Sequence, residues 1–170
     1  MNKNASILAI DESHISTVEA FGAKLFPLRP IGAVVQGINL GSAQPPPVKV
    51  IHALEQIMAQ YGFLVFKGKQ ALNEDQFLQA SCWWGGKALH STHGVHPATP
   101  NGNPHIFRLS NDANEGILGV GPQWHNDGSF NPGTFSHAGY HMVRAPERGG
   151  GTCFAHQSAA FDALEYEQQE

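Results

Sequence analysis

Residues 124–130, Trp-His-Asn-Asp-Gly-Ser-Phe, hold two metal-ligating side chains separated by one residue. On a β-strand, residues i and i+2 project to the same side of the sheet, so the imidazole of His125 and the carboxylate of Asp127 can converge on one ion. A histidine and a carboxylate together suit a borderline divalent metal such as Fe(II). Gly128 and Ser129 would let the strand end and the carboxylate turn back towards the ion. The alternative is a strand-end His and Asp that make ordinary turn hydrogen bonds, and the neighbouring segments have to decide between the two.

The composition is that of an ordinary globular domain. The chain has 170 residues, 41% of them hydrophobic, which is enough for one sizeable core. Its formal net charge is -4 and its ten Lys and Arg residues are scattered, so we expect neither a nucleic-acid partner nor an anionic membrane. The sequence pattern predicts neither a secretory signal nor a transmembrane helix, and hence a cytoplasmic protein. Cys82 and Cys153 are predicted to be free thiols.

The spacing of apolar residues predicts the elements of the first half. Residues 1–24 have no clear period and are predicted to be a loosely ordered N-terminal arm. Residues 25–40 contain β-branched residues broken by Gly and Pro and predict one or two short strands. From Val48 to Tyr61, apolar residues at three- and four-residue steps predict an amphipathic helix, which Gly62 would end. Residues 63–66 are all apolar and predict a buried strand.

The second half is predicted to be mainly β. Asn73 is placed to cap a second helix that reaches about Trp84, and residues 85–103 predict a long loop. A last helix is predicted at residues 158–167, with Ser158 as its cap. Strands at the spacing of a sandwich or barrel are predicted at residues 105–110, 123–130, 135–145 and 152–156.

Four segments together resemble the taurine dioxygenase family. They are residues 31–40, 62–68 and 124–130, followed by Gly-Gly-Gly-Thr at residues 149–152. Members of that family are Fe(II)- and 2-oxoglutarate-dependent oxygenases built on a double-stranded β-helix, a cupin-like jelly-roll barrel with helices packed outside. The resemblance therefore implies a mainly β fold with flanking helices (α+β), in which residues 25–170 form a partial barrel that is incomplete at its C-terminus.

The resemblance also implies roles for four residues. His125 and Asp127 would supply two of the three ligands of the iron's facial triad. Thr152 stands where relatives bind a carboxylate of 2-oxoglutarate, although a β-branched residue can simply start a strand there. His96 stands where taurine-oxidising relatives place a substrate-binding histidine, and it would donate a hydrogen bond to an anionic group. His96 could equally be a solvated loop residue.

Other histidines allow further interpretations. His90, His93 and His96 could hold zinc, and the absence of a fourth ligand nearby in the sequence counts against that. His137 and His141 alternate along one predicted strand. We expect these two to pair with polar neighbours rather than to bind a metal.

The implied reaction is the oxidative decarboxylation of 2-oxoglutarate by O₂ to succinate and CO₂, coupled to hydroxylation of a small, anionic organic substrate. Family members continue past residue 170, and that later part normally holds the third ligand histidine and an arginine that pairs with 2-oxoglutarate. We therefore expect an N-terminal portion of an oxygenase, with at most trace turnover by itself, or a truncated, non-catalytic jelly-roll module that binds a metal or a small acid. A second copy of the chain could cover the strand edges left unpaired.

Overall fold

The computed structural model describes residues 11–68, 71–85 and 93–169. The chain divides into two compact units. The first contains the described residues of Met1–Ala71 and Met142–Glu170, and the second contains those of Leu72–His141.

The first unit is built on a three-stranded mixed sheet. Strand β2 (Ala33–Gln36) lies in the middle, antiparallel to β1 (Lys24–Pro27) and parallel to β3 (Leu64–Phe66). Because β2 has a neighbour on each side, its run of Ala and Val is buried, and Val35 is only 1% exposed. The strands predicted within residues 25–40 and 63–66 are confirmed, but β3 is not the buried strand that was predicted, since Val65 is 37% exposed.

Helix α2 (Val48–Tyr61) connects the two parallel strands, as a parallel pair requires. It has the bounds that the apolar spacing predicts. The face that it buries carries Val50, Ala53, Leu54 and Ile57, so Val48, where the apolar spacing begins, lies outside that face. The residues of the first unit whose side chains are buried most completely come from this helix, β2 and the first helix: Val18, Ala33, Val35, Val50, Ala53, Leu54 and Ile57.

Helix α1 (Glu12–Ala20) corrects the prediction of a loosely ordered arm for this part of residues 1–24. The carboxylate of Asp11 caps the helix by accepting a hydrogen bond from the backbone N–H of Ser13 at 2.9 Å. Val18 is fully buried, and α1 packs against α2. The sequence pattern did not predict this helix, because most of its residues are polar and a single buried position gives no detectable hydrophobic period. The division of the chain at residue 24 stays a prediction.

Gly62 ends α2 with a positive φ of 89°, and its N–H donates to the carbonyl of Met58 at 2.7 Å. A residue with a side chain rarely adopts this conformation, which is why glycine stands there. The imidazole of His156 lies directly over it, since a Cβ on Gly62 would come within 3.1 Å of that ring.

The C-terminal helices of the first unit are α4 (Gln157–Asp162) and α5 (Tyr166–Gln169). The sequence predicted one helix with Ser158 as its cap, and this is wrong in both respects. His156 is the cap, and its Nδ1 accepts a hydrogen bond from the N–H of Ala159 at 3.3 Å. Histidine is not among the preferred capping residues, so the sequence pattern did not point to it.

In the second unit, helix α3 (Glu74–Ser81) confirms the predicted cap. Asn73 and Gln76 form a reciprocal capping box, with two side-chain-to-backbone hydrogen bonds of 2.9 Å. The helix stops before Trp84, and the residues after Ser81 form turns.

The long loop that precedes the site contains a short 3-10 turn at Pro100–Gly102. The side-chain amides of Asn101 and Asn103 donate to the two carboxylate oxygens of Glu74, at 2.8 and 2.7 Å. The first turn of α3 therefore anchors the described part of this loop. Residues 86–92 of the predicted loop lie outside the described residues.

The four strands predicted after residue 104 are not formed. In the described span 93–169, β-type backbone pairing is confined to one bridge between Leu109 and Ile117. A segment of suitable composition becomes a strand only when another extended segment lies beside it at about 4.8 Å, and in this span that pairing does not extend beyond the single bridge. Large apolar side chains of these segments consequently stay exposed, among them Trp124, Phe130 and Val143.

The fold class is thus confirmed in part. A mixed sheet with flanking helices is present, and the described residues form no closed barrel. Among the described residues, no helix combines the length and the apolar character needed to cross a bilayer.

The core of the first unit gives a test of this packing. Leu54 is fully buried, so we expect Leu54→Ala to lower the free energy of unfolding by about 2–5 kcal/mol, measured by urea denaturation. Val48, on the same helix, is 82% exposed and is the matched control. Val48→Ala should change the free energy by no more than about 0.5 kcal/mol. Equal losses in the two variants would contradict the assignment of the core.

Candidate metal centre

His125 and Asp127 come together, as the sequence predicts. Nε2 of His125 lies 3.3 Å from Oδ1 of Asp127, and the side chains are 49% and 40% exposed. Among the described residues no strand pairs with this segment, so the two groups meet without the sheet from which their convergence was predicted. Their exposure leaves the pair open to an ion from solvent.

The turn after Asp127 gives the pair its local shape. Gly128 is buried with φ 67°, and the N–H of Asn131 donates to its carbonyl at 3.0 Å. A Cβ on Gly128 would lie 2.6 Å from the ring of Phe135, so a larger residue could turn the chain here only if that ring moved. A turn follows Asp127, but no strand ends there, so the predicted strand end at Gly128 and Ser129 is not formed.

The backbone selects the tautomer of His125. Nδ1 lies 2.7 Å from the carbonyl oxygen of Gln123. Because a carbonyl can only accept, Nδ1 carries the hydrogen, and in the neutral ring Nε2 presents a lone pair. Metal-binding histidines are commonly oriented in this way, by a hydrogen bond from the nitrogen that does not bind the metal.

In this tautomer two acceptors, Nε2 of His125 and Oδ1 of Asp127, face each other. They repel unless a proton or a cation lies between them. Bonds from an ion to imidazole nitrogen and carboxylate oxygen are each about 2.0–2.2 Å long, so two such atoms at a right angle lie roughly 3 Å apart. The observed 3.3 Å therefore fits joint binding of one divalent ion.

Tyr140 holds the other oxygen of the carboxylate. Its hydroxyl donates to Oδ2 of Asp127 at 2.5 Å. Burial, together with the adjacent carboxylate, raises the pKa of Tyr140 to about 12, so the phenol remains a hydrogen-bond donor at neutral pH. Sequence reasoning missed Tyr140, because no local spacing connects it with a residue thirteen positions earlier.

His96 spans its loop with both ring nitrogens. Nδ1 accepts from the N–H of Ala98 at 3.1 Å, and Nε2 lies 3.0 Å from the carbonyl of Ala113. To donate from Nε2 to an anionic substrate, His96 would have to release Ala113. Its role in substrate binding stays a prediction.

The zinc interpretation of the loop histidines has no support among the described residues, where no three His, Cys, Asp or Glu side chains could hold one ion. His93 stacks on Phe107, with ring centroids 3.9 Å apart. His90 lies outside the described residues.

His137 and His141 pair with neighbours, as expected. His137 stacks on Trp84, and its Nδ1 lies 3.1 Å from the hydroxyl of Ser136. Nε2 of His141 accepts from the N–H of Leu72 at 3.2 Å, and the ring lies against Phe77.

Thr152 belongs to the first unit and is exposed. Two residues later, Phe154 packs on Phe63 with ring centroids 4.6 Å apart, so this segment runs beside the start of β3. The role of Thr152 in 2-oxoglutarate binding stays a prediction.

Arg108 is the single arginine of Leu72–His141 in the sequence. It forms an ion pair with Glu115 at 2.7 Å.

Comparison with protein families gives one match. The model of the family described as taurine catabolism dioxygenase TauD, TfdA family, matches residues 24–170. Comparisons with curated proteins and with solved structures gave no significant match.

The facing acceptors predict metal binding that needs both side chains. We expect His125→Ala and Asp127→Ala each to weaken Co(II) binding by at least about 10-fold in calorimetric titration, since the loss of even an outer-shell partner typically costs that much. His105, an exposed histidine of the same unit, is the matched control. His105→Ala should bind Co(II) like the parent, and a parent-like affinity in either ligand variant would remove that residue from the site.

Proposed function

Since the chain belongs to the TauD, TfdA family of taurine catabolism dioxygenases, we propose that it forms the Fe(II)-binding part of a 2-oxoglutarate-dependent dioxygenase. Its reaction would hydroxylate a small, anionic organic substrate and release succinate and CO₂. The observation that carries this proposal is the approach of His125 Nε2 to Asp127 Oδ1 at 3.3 Å, with the histidine tautomer fixed by Gln123.

The donor set suits the metal. An imidazole nitrogen and a carboxylate oxygen are two of the three ligands in the triad of non-haem Fe(II) oxygenases. When bound, Fe(II) with 2-oxoglutarate and O₂ supplies the oxidative chemistry. The described residues bring no third ligand to the pair, so the proposal assigns only His125 and Asp127 to the metal.

Two further residues have proposed binding roles. Thr152 would donate a hydrogen bond from its hydroxyl to a carboxylate of 2-oxoglutarate. His96 would donate from Nε2 to the anionic group of the substrate after leaving the carbonyl of Ala113.

The proposal extends to the fold. Residues 25–170 would contribute to a double-stranded β-helix, the fold that the family implies, with residues 1–24 outside it. The segments around His125 would gain partner strands in such a barrel. That pairing would also cover Trp124 and Phe130, which are 73% and 74% exposed.

A binding module without catalysis is the second candidate. The observation that favours it is that two ligands converge in the described residues and not three. Such a module would bind a metal or a small acid and would turn nothing over.

Succinate formation separates the two candidates. With Fe(II), ascorbate and O₂, we expect the chain as given to form at most a trace of succinate from 2-oxoglutarate. A version extended through any reading frame that continues beyond residue 170 should form succinate in a reaction that Asp127→Ala abolishes. Metal binding without succinate from either form would overturn the oxygenase and favour the binding module.

The role of Thr152 has its own test. Thr152→Val keeps the side-chain shape and removes the hydroxyl, so we expect 2-oxoglutarate binding to weaken by about 1–2 kcal/mol, the contribution of one hydrogen bond to a charged group. Calorimetry on the Co(II)-loaded protein measures it. Thr134→Val, at another exposed threonine, is the control and should change nothing. An unchanged affinity in Thr152→Val would exclude the hydroxyl from the site.

A further inference from the structure

The two oxygens of Asp127 have different surroundings. Oδ1 faces Nε2 of His125 at 3.3 Å, whereas Oδ2 accepts a hydrogen bond from the hydroxyl of Tyr140 at 2.5 Å. We propose that Tyr140 is a positioning residue that makes Asp127 a ligand through Oδ1 alone. This inference rests on the metal site proposed above.

The hydrogen bond limits how the carboxylate can bind. A carboxylate that binds an ion through both oxygens needs both of them at about 2.0–2.2 Å from it. The phenol directs a hydrogen at Oδ2 and would hold that oxygen away from the ion. A metal that must bind both a cosubstrate and O₂ needs open coordination positions. If Asp127 binds through one oxygen only, the position that its second oxygen would have taken stays available to a small-molecule ligand.

The backbone around Tyr140 is fixed on both sides of this residue. Next to it, Gly139 lies against α3, where a Cβ would be 3.5 Å from the ring of Phe77. On the other side, His141 packs on the same Phe77 ring and accepts from the N–H of Leu72. Helix α3 and its entry thus determine where the Tyr140 hydroxyl can reach.

Tyr140 itself contributes little to packing, since 56% of it is exposed. Tyr140→Phe removes only the hydroxyl and keeps the ring. The variant should therefore fold like the parent, which far-ultraviolet circular dichroism and a thermal unfolding curve can confirm. Any change in metal binding then reports the hydrogen bond to Asp127 and not a loss of structure.

The test uses metal binding rather than turnover. We expect Tyr140→Phe to weaken Mn(II) and Co(II) binding by about 10-fold or more, the usual effect of losing an outer-shell partner. We also expect the water-proton relaxation per bound Mn(II) to fall, because Oδ2, once released, would replace a metal-bound water. Tyr166→Phe, at a tyrosine that is 76% exposed, is the matched control and should leave both quantities unchanged.

The outcomes separate this inference from the proposed function. If the parent binds neither metal, the proposed site fails and the role of Tyr140 fails with it. If the parent binds metal and Tyr140→Phe has the same affinity and the same relaxation per bound ion, the site stands and the positioning role is overturned. A lower affinity together with a lower relaxation per bound ion supports the role.

Discussion

The lone pairs of His125 Nε2 and Asp127 Oδ1 face each other at 3.3 Å, and this arrangement needs positive charge between them. The surrounding chain favours the facing arrangement, since Gln123 holds the ring from behind and Tyr140 holds the carboxylate. The two side chains are therefore held facing each other by a neighbour on either side.

That organisation comes from loops and turns. The tight turn at Gly128 places Asp127, and the segment carrying Tyr140 is held against α3. Helix α3 in turn anchors the loop before the metal pair through Glu74, whose carboxylate accepts hydrogen bonds from the side-chain amides of Asn101 and Asn103. One short, well-capped helix thus contacts both the loop before the metal pair and the segment after it.

The features predicted correctly from the sequence depend on short-range signals. Helix α2 follows from its apolar spacing, the cap of α3 from Asn73, and the approach of His125 to Asp127 from two residues at i and i+2. Metal binding by these two side chains stays a prediction. The predicted strands of the second half did not form, because each required a partner strand that no local sequence pattern specifies. Tyr140 was missed because its contact with Asp127 joins distant positions through tertiary structure.

His156 has two structural tasks in the first unit. Its ring accepts the hydrogen bond that starts α4, and the same ring covers the glycine at which α2 ends. A side chain larger than hydrogen at position 62 would push the imidazole and so disturb a helix that begins almost a hundred residues later. A substitution at either position 62 or position 156 therefore acts on the end of α2 and on the start of α4 at once.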